Sequence, residues 1–167
     1  MQKKILFKNG FSLVELLTVI SIMTVLFGFG YSNYRDFQRR QHLESAVRMI
    51  KSDLRLAQEM ALAGRKPSDC VGDLEGYEFQ LSSINSGWSS QYELRTLCAS
   101  SNVDYKIVDL PEGTEIRVFG VTNGFHFLPL GQGINRLTLT LRVRFDDADI
   151  DPRRIVISEI GEIYDEN

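Results

Sequence analysis

Gly10-Phe-Ser-Leu-Val-Glu-Leu-Leu-Thr-Val-Ile20 is the stretch on which the rest of the chain depends. Ahead of it stands a short basic leader, residues 1–10, with Lys3, Lys4 and Lys8. Behind Gly10 an apolar run extends from Phe11 to Tyr31, 21 residues interrupted near its start by one carboxylate, Glu15. As a helix, at about 1.5 Å per residue, such a run reaches across a hydrocarbon core of roughly 30 Å. An acidic side chain at the middle of a membrane helix costs about 2.5–3.5 kcal/mol. Glu15 sits nearer the end, where the cost is smaller, but a carboxylate in an apolar segment still calls for a cationic partner.

These residue types at this spacing resemble the class III signal of type IV prepilins and type II secretion pseudopilins. That pattern is a basic leader, a Gly, a Phe or Met, a Glu five residues after the Gly, and about twenty apolar residues. Here it falls on Lys3, Lys4, Lys8, Gly10, Phe11, Glu15 and the run to Tyr31. An ordinary secretory signal puts its apolar core ahead of the cleavage site; in this pattern the core follows it and is retained. The resemblance implies that a membrane prepilin peptidase cuts between Gly10 and Phe11 and methylates the new Phe11 amine. It also implies that Glu15 pairs with the Phe11 α-ammonium of a neighbouring subunit. The alternative is a plain anchor with Glu15 tolerated near the interface. Implied partners are the peptidase, other pilin or pseudopilin subunits, the inner-membrane assembly platform and membrane lipid.

Lysines precede the apolar run, so the positive-inside rule leaves the N-terminus in the cytoplasm and the rest outside the inner membrane. Of 167 residues with a formal net charge of −3, removal of the leader would take away three lysines and no acids and leave −6. From Gly64 onward there are ten Lys/Arg against seventeen Asp/Glu. So acidic a region argues against nonspecific nucleic-acid binding, which relies on clustered cations. Cys70 and Cys98 both follow the apolar run. Outside the cytoplasm they favour a disulfide, with two free thiols as the alternative.

Asn33 to Ala63 reads as an amphipathic helix. Leu43, Val47, Ile50, Leu54, Ala57 and Ala61 form one apolar seam, and Gly64 and Pro67 mark the stop. Gly28 and Gly30 either loosen the upstream helix or let helices pack closely. After Pro67 the pattern changes to strands: 77–81, 91–97, 105–110, 115–121, 124–128, 136–145, 154–160 and 162–164. In the sixth, Leu137, Leu139, Leu141, Val143 and Phe145 face one way. The expected division is leader 1–10, transmembrane helix 11–31, amphipathic helix 32–63 and head 64–167. The fold class is α+β: a long N-terminal α-helix packed on an antiparallel β-rich head, pilin-like. Phe125-His-Phe-Leu-Pro-Leu-Gly131 and Arg154-Ile-Val-Ile-Ser-Glu-Ile-Gly161 are similar to two C-terminal motifs of H-type minor pseudopilins and FimT/FimU-type minor pilins.

No residue pattern for catalysis is present: there is no Gly-x-Ser-x-Gly, no His-Glu-x-x-His and no phosphate-cradling loop. Asp147, Asp149 and Asp151 have the first spacings of a calcium loop, but Pro152 and Ser158 occupy places where Gly and Glu are wanted. A solvated turn is the favoured account and calcium the alternative; no other cofactor is expected. Trp88, among serines and Gly87, is either a packed end of the core or a partner contact. The sequence therefore points to a non-enzymatic minor pilin or pseudopilin of a type II secretion pseudopilus or type IV pilus. The alternative is a single-pass anchored binding module that does not polymerise.

Overall fold

The computed structural model describes residues 12–82, 87–120, 124–146 and 150–166, without side chains at 29–33 and 104. Among these residues one α-helix, α1 (Leu13–Leu62), is followed by eight strands, with a 3-10 turn (Pro129–Gly131) between the fifth and sixth: β1 (Leu74–Ser82), β2 (Gln91–Cys98), β3 (Asn102–Asp109), β4 (Thr114–Phe119), β5 (Gly124–Phe127), β6 (Leu139–Phe145), β7 (Arg153–Ile157) and β8 (Ile163–Glu166). Contacts divide the chain into two compact units, Met1–Gln38 and Arg39–Asn167.

The second unit begins 25 residues earlier than the expected head at Gly64. The physical reason is that the seam of α1 is part of the core. Leu43, Ala46, Ile50, Leu54, Ala57 and Ala61 are all buried, at helical spacing. The helix stops as expected. Gly64 adopts φ +57°, its N–H reaches Ala61 O, and Arg65 N–H reaches Met60 O, so two terminal carbonyls are satisfied.

Two antiparallel four-stranded sheets complete this unit. The first has the order β3-β2-β1-β5 and the second β4-β6-β7-β8. β2 and β6 alternate buried and half-buried side chains, which is the period of a strand with one covered face. Phe79 stacks on Tyr92 and Phe125, and Phe127 meets Phe125 edge-on, forming an aromatic centre under α1. Ser89 bridges the sheets by pairing with Ile116.

All eight expected strands occur, most with shifted ends, and two of the shifts have a plain physical reason. β6 starts at Leu139 rather than Arg136. Leu137 lies in a bend and is 75 % exposed, so it does not share the buried face of Leu139, Leu141 and Val143. β7 ends at Ile157 because Ser158 opens the turn: its N–H bonds Glu162 O and its carbonyl accepts from Gly161 N–H. Ile160 is therefore displayed in the turn, 77 % exposed.

Candidate functional site

The first unit is a helix without a core of its own. From Leu13 to Phe27, eleven large apolar side chains are exposed on all sides, from Val19 at 46 % to Leu13 at 78 %. A helix apolar all round is one that other molecules cover. Its hydroxyls are already satisfied. Thr18 donates to Glu15 O, Ser21 to Leu17 O and Thr24 to Ile20 O, at 2.9, 2.8 and 2.8 Å. No polar side chain of this stretch except Glu15 is left needing a partner in an apolar medium.

Glu15 lies in the first turn of α1, where the helix dipole favours a carboxylate. Ser12 and Glu15 have the spacing of a capping box, yet no side-chain hydrogen bond joins them. Among the described residues the Glu15 carboxylate has neither an ion pair nor a hydrogen bond. Gly10 and Phe11 lie outside the described residues. Among those described, no helix is long and apolar enough to cross a membrane; the run expected to do so begins at Phe11.

Of the other expected sites, the cysteine pair is brought together. Cys70 and Cys98 are joined by a disulfide with Cα atoms 5.7 Å apart, tying the segment after α1 to the end of β2. Asp147 and Asp149 lie outside the described residues, and Asp151 is exposed. Among the described residues no group of His, Cys, Asp or Glu is placed to share a metal ion. Trp88 is half-buried, with the Arg144 guanidinium 4.0 Å above its ring.

One polar site was not anticipated. Asp53, buried on the inner face of α1, accepts from Tyr92 Oη at 2.7 Å and from Lys106 Nζ at 2.9 Å on both carboxylate oxygens. Burial, the hydrogen bond to Asp53 and the Asp53 charge, in that order, push the Tyr92 phenol well above its ordinary range. The signal was in the seam: Asp53 stands three residues after Ile50 and beside Leu54, where the apolar pattern wants a hydrophobe. On the opposite flank Lys51 pairs with Asp165 at 2.7 Å and Glu44 with Arg153 at 3.1 Å, so α1 is pinned to both sheets.

Residues 7–31 match the family described as the prokaryotic N-terminal methylation motif. The chain has a prepilin-type N-terminus on a pilin-like fold. The fold resembles that of the type IV minor pilin FimU of Pseudomonas aeruginosa (strain PAO1) in two crystal forms. In one the TM-score is 0.59 at 16 % identity, over 78 % of this chain and 92 % of that one. In the other it is 0.56 at 16 % identity, over 75 % and 93 %. No curated protein matches the chain. At this identity the likeness speaks for the fold, a long helix carrying antiparallel sheets, and the motif speaks for the N-terminus.

Proposed function

We propose that this chain is a minor pilin or pseudopilin. A prepilin peptidase cuts it between Gly10 and Phe11 and methylates Phe11. It resides in the cytoplasmic membrane with its head outside, and it is then assembled into a type IV pilus or a type II secretion pseudopilus. The carrying observation is the helix within the motif, apolar on every side from Leu13 to Phe27, with Glu15 as its one charge and no partner for that carboxylate among the described residues. Lipid covers such a helix before assembly and neighbouring helices after it. In a packed bundle the Phe11 ammonium of an adjacent subunit answers Glu15 and fixes the axial register, because an unpaired carboxylate there is costly. Function then resides in helix packing and head contacts.

The deciding experiment is the intact mass of the membrane-extracted chain made with and without its cognate peptidase. A mass beginning at methylated Phe11, seen only with the peptidase, is the expected result. A persistent leader beside an active peptidase would overturn the proposal in favour of an anchored module that does not polymerise.

A further inference from the structure

The outward face of the second sheet carries a row of like charges. Register sets Arg117 on β4 opposite Arg142 on β6, and Arg142 opposite Arg154 on β7; Glu166 on β8 ends the row. Like charges directly opposed across strands destabilise a sheet. Yet three arginines stand in line on a region that from Gly64 onward is strongly acidic. At the ends of the patch compensation is present. Arg154 lies 3.8 Å from Glu166, and Arg144 pairs with Glu115 at 2.7 Å. At the centre it is missing. Arg117 and Arg142 have no carboxylate or hydrogen-bond acceptor among the described residues, and Arg142 Nε is buried without one.

Both central guanidiniums are instead held by a ring. Arg117 and Arg142 each lie 4.9 Å from the centroid of Phe119. Arg117 also covers Gly87, where an added Cβ would come within 3.4 Å of its Cζ. Arg144 repeats the arrangement on Trp88 at 4.0 Å. A guanidinium held against a ring is weakly hydrated and oriented, with its N–H fork free for a planar oxyanion.

Two features decide the class of partner. The rings are occupied by arginine, so the patch offers no stacking platform for bases. The acidic head repels a polyanion at long range, whereas a protein can bring a few carboxylates to one spot without carrying a line of charge. We infer that the outer face of β4, β6 and β7, centred on Arg117 and Arg142, docks a partner protein through that partner's Asp and Glu carboxylates. This inference does not depend on how the N-terminus is processed.

The test uses the full chain in detergent, titrated into a labelled oligoglutamate peptide and a labelled oligothymidylate of equal charge. Oligoglutamate is expected to bind more tightly than oligothymidylate, and to weaken as salt rises. In Arg117→Gln/Arg142→Gln its Kd should rise about tenfold or more, the scale of losing charge-assisted hydrogen bonds. Arg117→Lys/Arg142→Lys keeps the charge but not the fork and should fall between. Circular dichroism checks each variant. If the double variant unfolds, the exposed Arg117→Gln alone decides, with a loss of about threefold or more expected. Absence of salt-sensitive oligoglutamate binding, equal binding by wild type and folded variant, or tighter binding of oligothymidylate would each overturn the inference.

Discussion

Lys106 on β3 reaches Asp53 on α1 and places its ammonium 2.9 Å from both carboxylate oxygens, while the carboxylate side chain is only 7 % exposed. Tyr92 donates to the same group from β2. The site joins the helix to two neighbouring strands through one buried acceptor, and it fixes which turn of α1 faces them. Asp53→Ala leaves the buried Tyr92 hydroxyl without an acceptor, an expected cost of about 2 kcal/mol by chemical denaturation. Adding Tyr92→Phe should recover part of that loss, because both polar partners are then gone. A purely additive double variant would show that the two groups do not interact.

The same phenol gives the head an alkaline limit. Its folded pKa is raised, by burial first and then by Asp53. The unfolded chain releases the proton near pH 10 while the folded chain holds it. Stability from this group is therefore complete below pH 10 and falls as pH rises, by about 1.4 kcal/mol per pH unit. Tyr77, also raised by burial, acts in the same direction. Denaturation midpoints from pH 8 to 11 should thus fall less steeply, but still fall, in Tyr92→Phe. Unchanged steepness would assign the alkaline limit elsewhere.

On the proposed function, Glu15→Ala should leave cleavage after Gly10 intact, because that reading needs the carboxylate after processing rather than during it. Incorporation into filaments should fall about tenfold or more, since removing one partner of a buried charge pair costs about 2–5 kcal/mol. Quantifying the subunit in sheared filament and membrane fractions checks this. Normal incorporation of the Ala variant would remove the register role from Glu15.

The Cys70–Cys98 bridge closes a loop of sequence separation 28. Chain-entropy reasoning gives it about 3–4 kcal/mol. Cys70→Ser/Cys98→Ser should therefore lower the thermal midpoint by about 10 °C, measured against the oxidised parent. A shift of a degree or two would show that the head holds its form without the bridge.

Gly133 and Gly64 both have positive φ, at +82° and +57°, but their surroundings differ. A Cβ on Gly133 would lie 2.1 Å from Glu159 O, against backbone that cannot move aside; at Gly64 it meets only the far end of Leu130, at 3.3 Å. Gly64→Ala should cost about 1 kcal/mol, the ordinary penalty of a left-handed position. Gly133→Ala should cost more than about 3 kcal/mol, because the Ile134–Glu159 hydrogen bond must also give way. Urea midpoints of the two variants provide the comparison.

Much of this molecule was legible in sequence because its signals are local. The N-terminal motif over residues 7–31 is a pattern of residue types at fixed short spacing. The seam from Leu43 to Ala61 follows the period of a helix, and Gly64 can end that helix because the termination involves only the last turn. Several strands, β2, β4, β5 and β6 among them, alternate with period 2, and turn residues separate the strands. What the sequence could not decide depends on partners far along the chain. It did not assign strands to two sheets, since β1 lies between β2 and β5, and β4 pairs across to β6. It did not place Asp53 opposite Lys106, 53 residues away, because a lone acid in an apolar seam does not name its counter-ion. Nor did it align Arg117, Arg142 and Arg154, which meet only when register sets three separate strands side by side. Periodicity and capping are properties of neighbouring residues and survive in a linear sequence. Pairing across strands is chosen by burial of the whole core, and only the tertiary structure carries it.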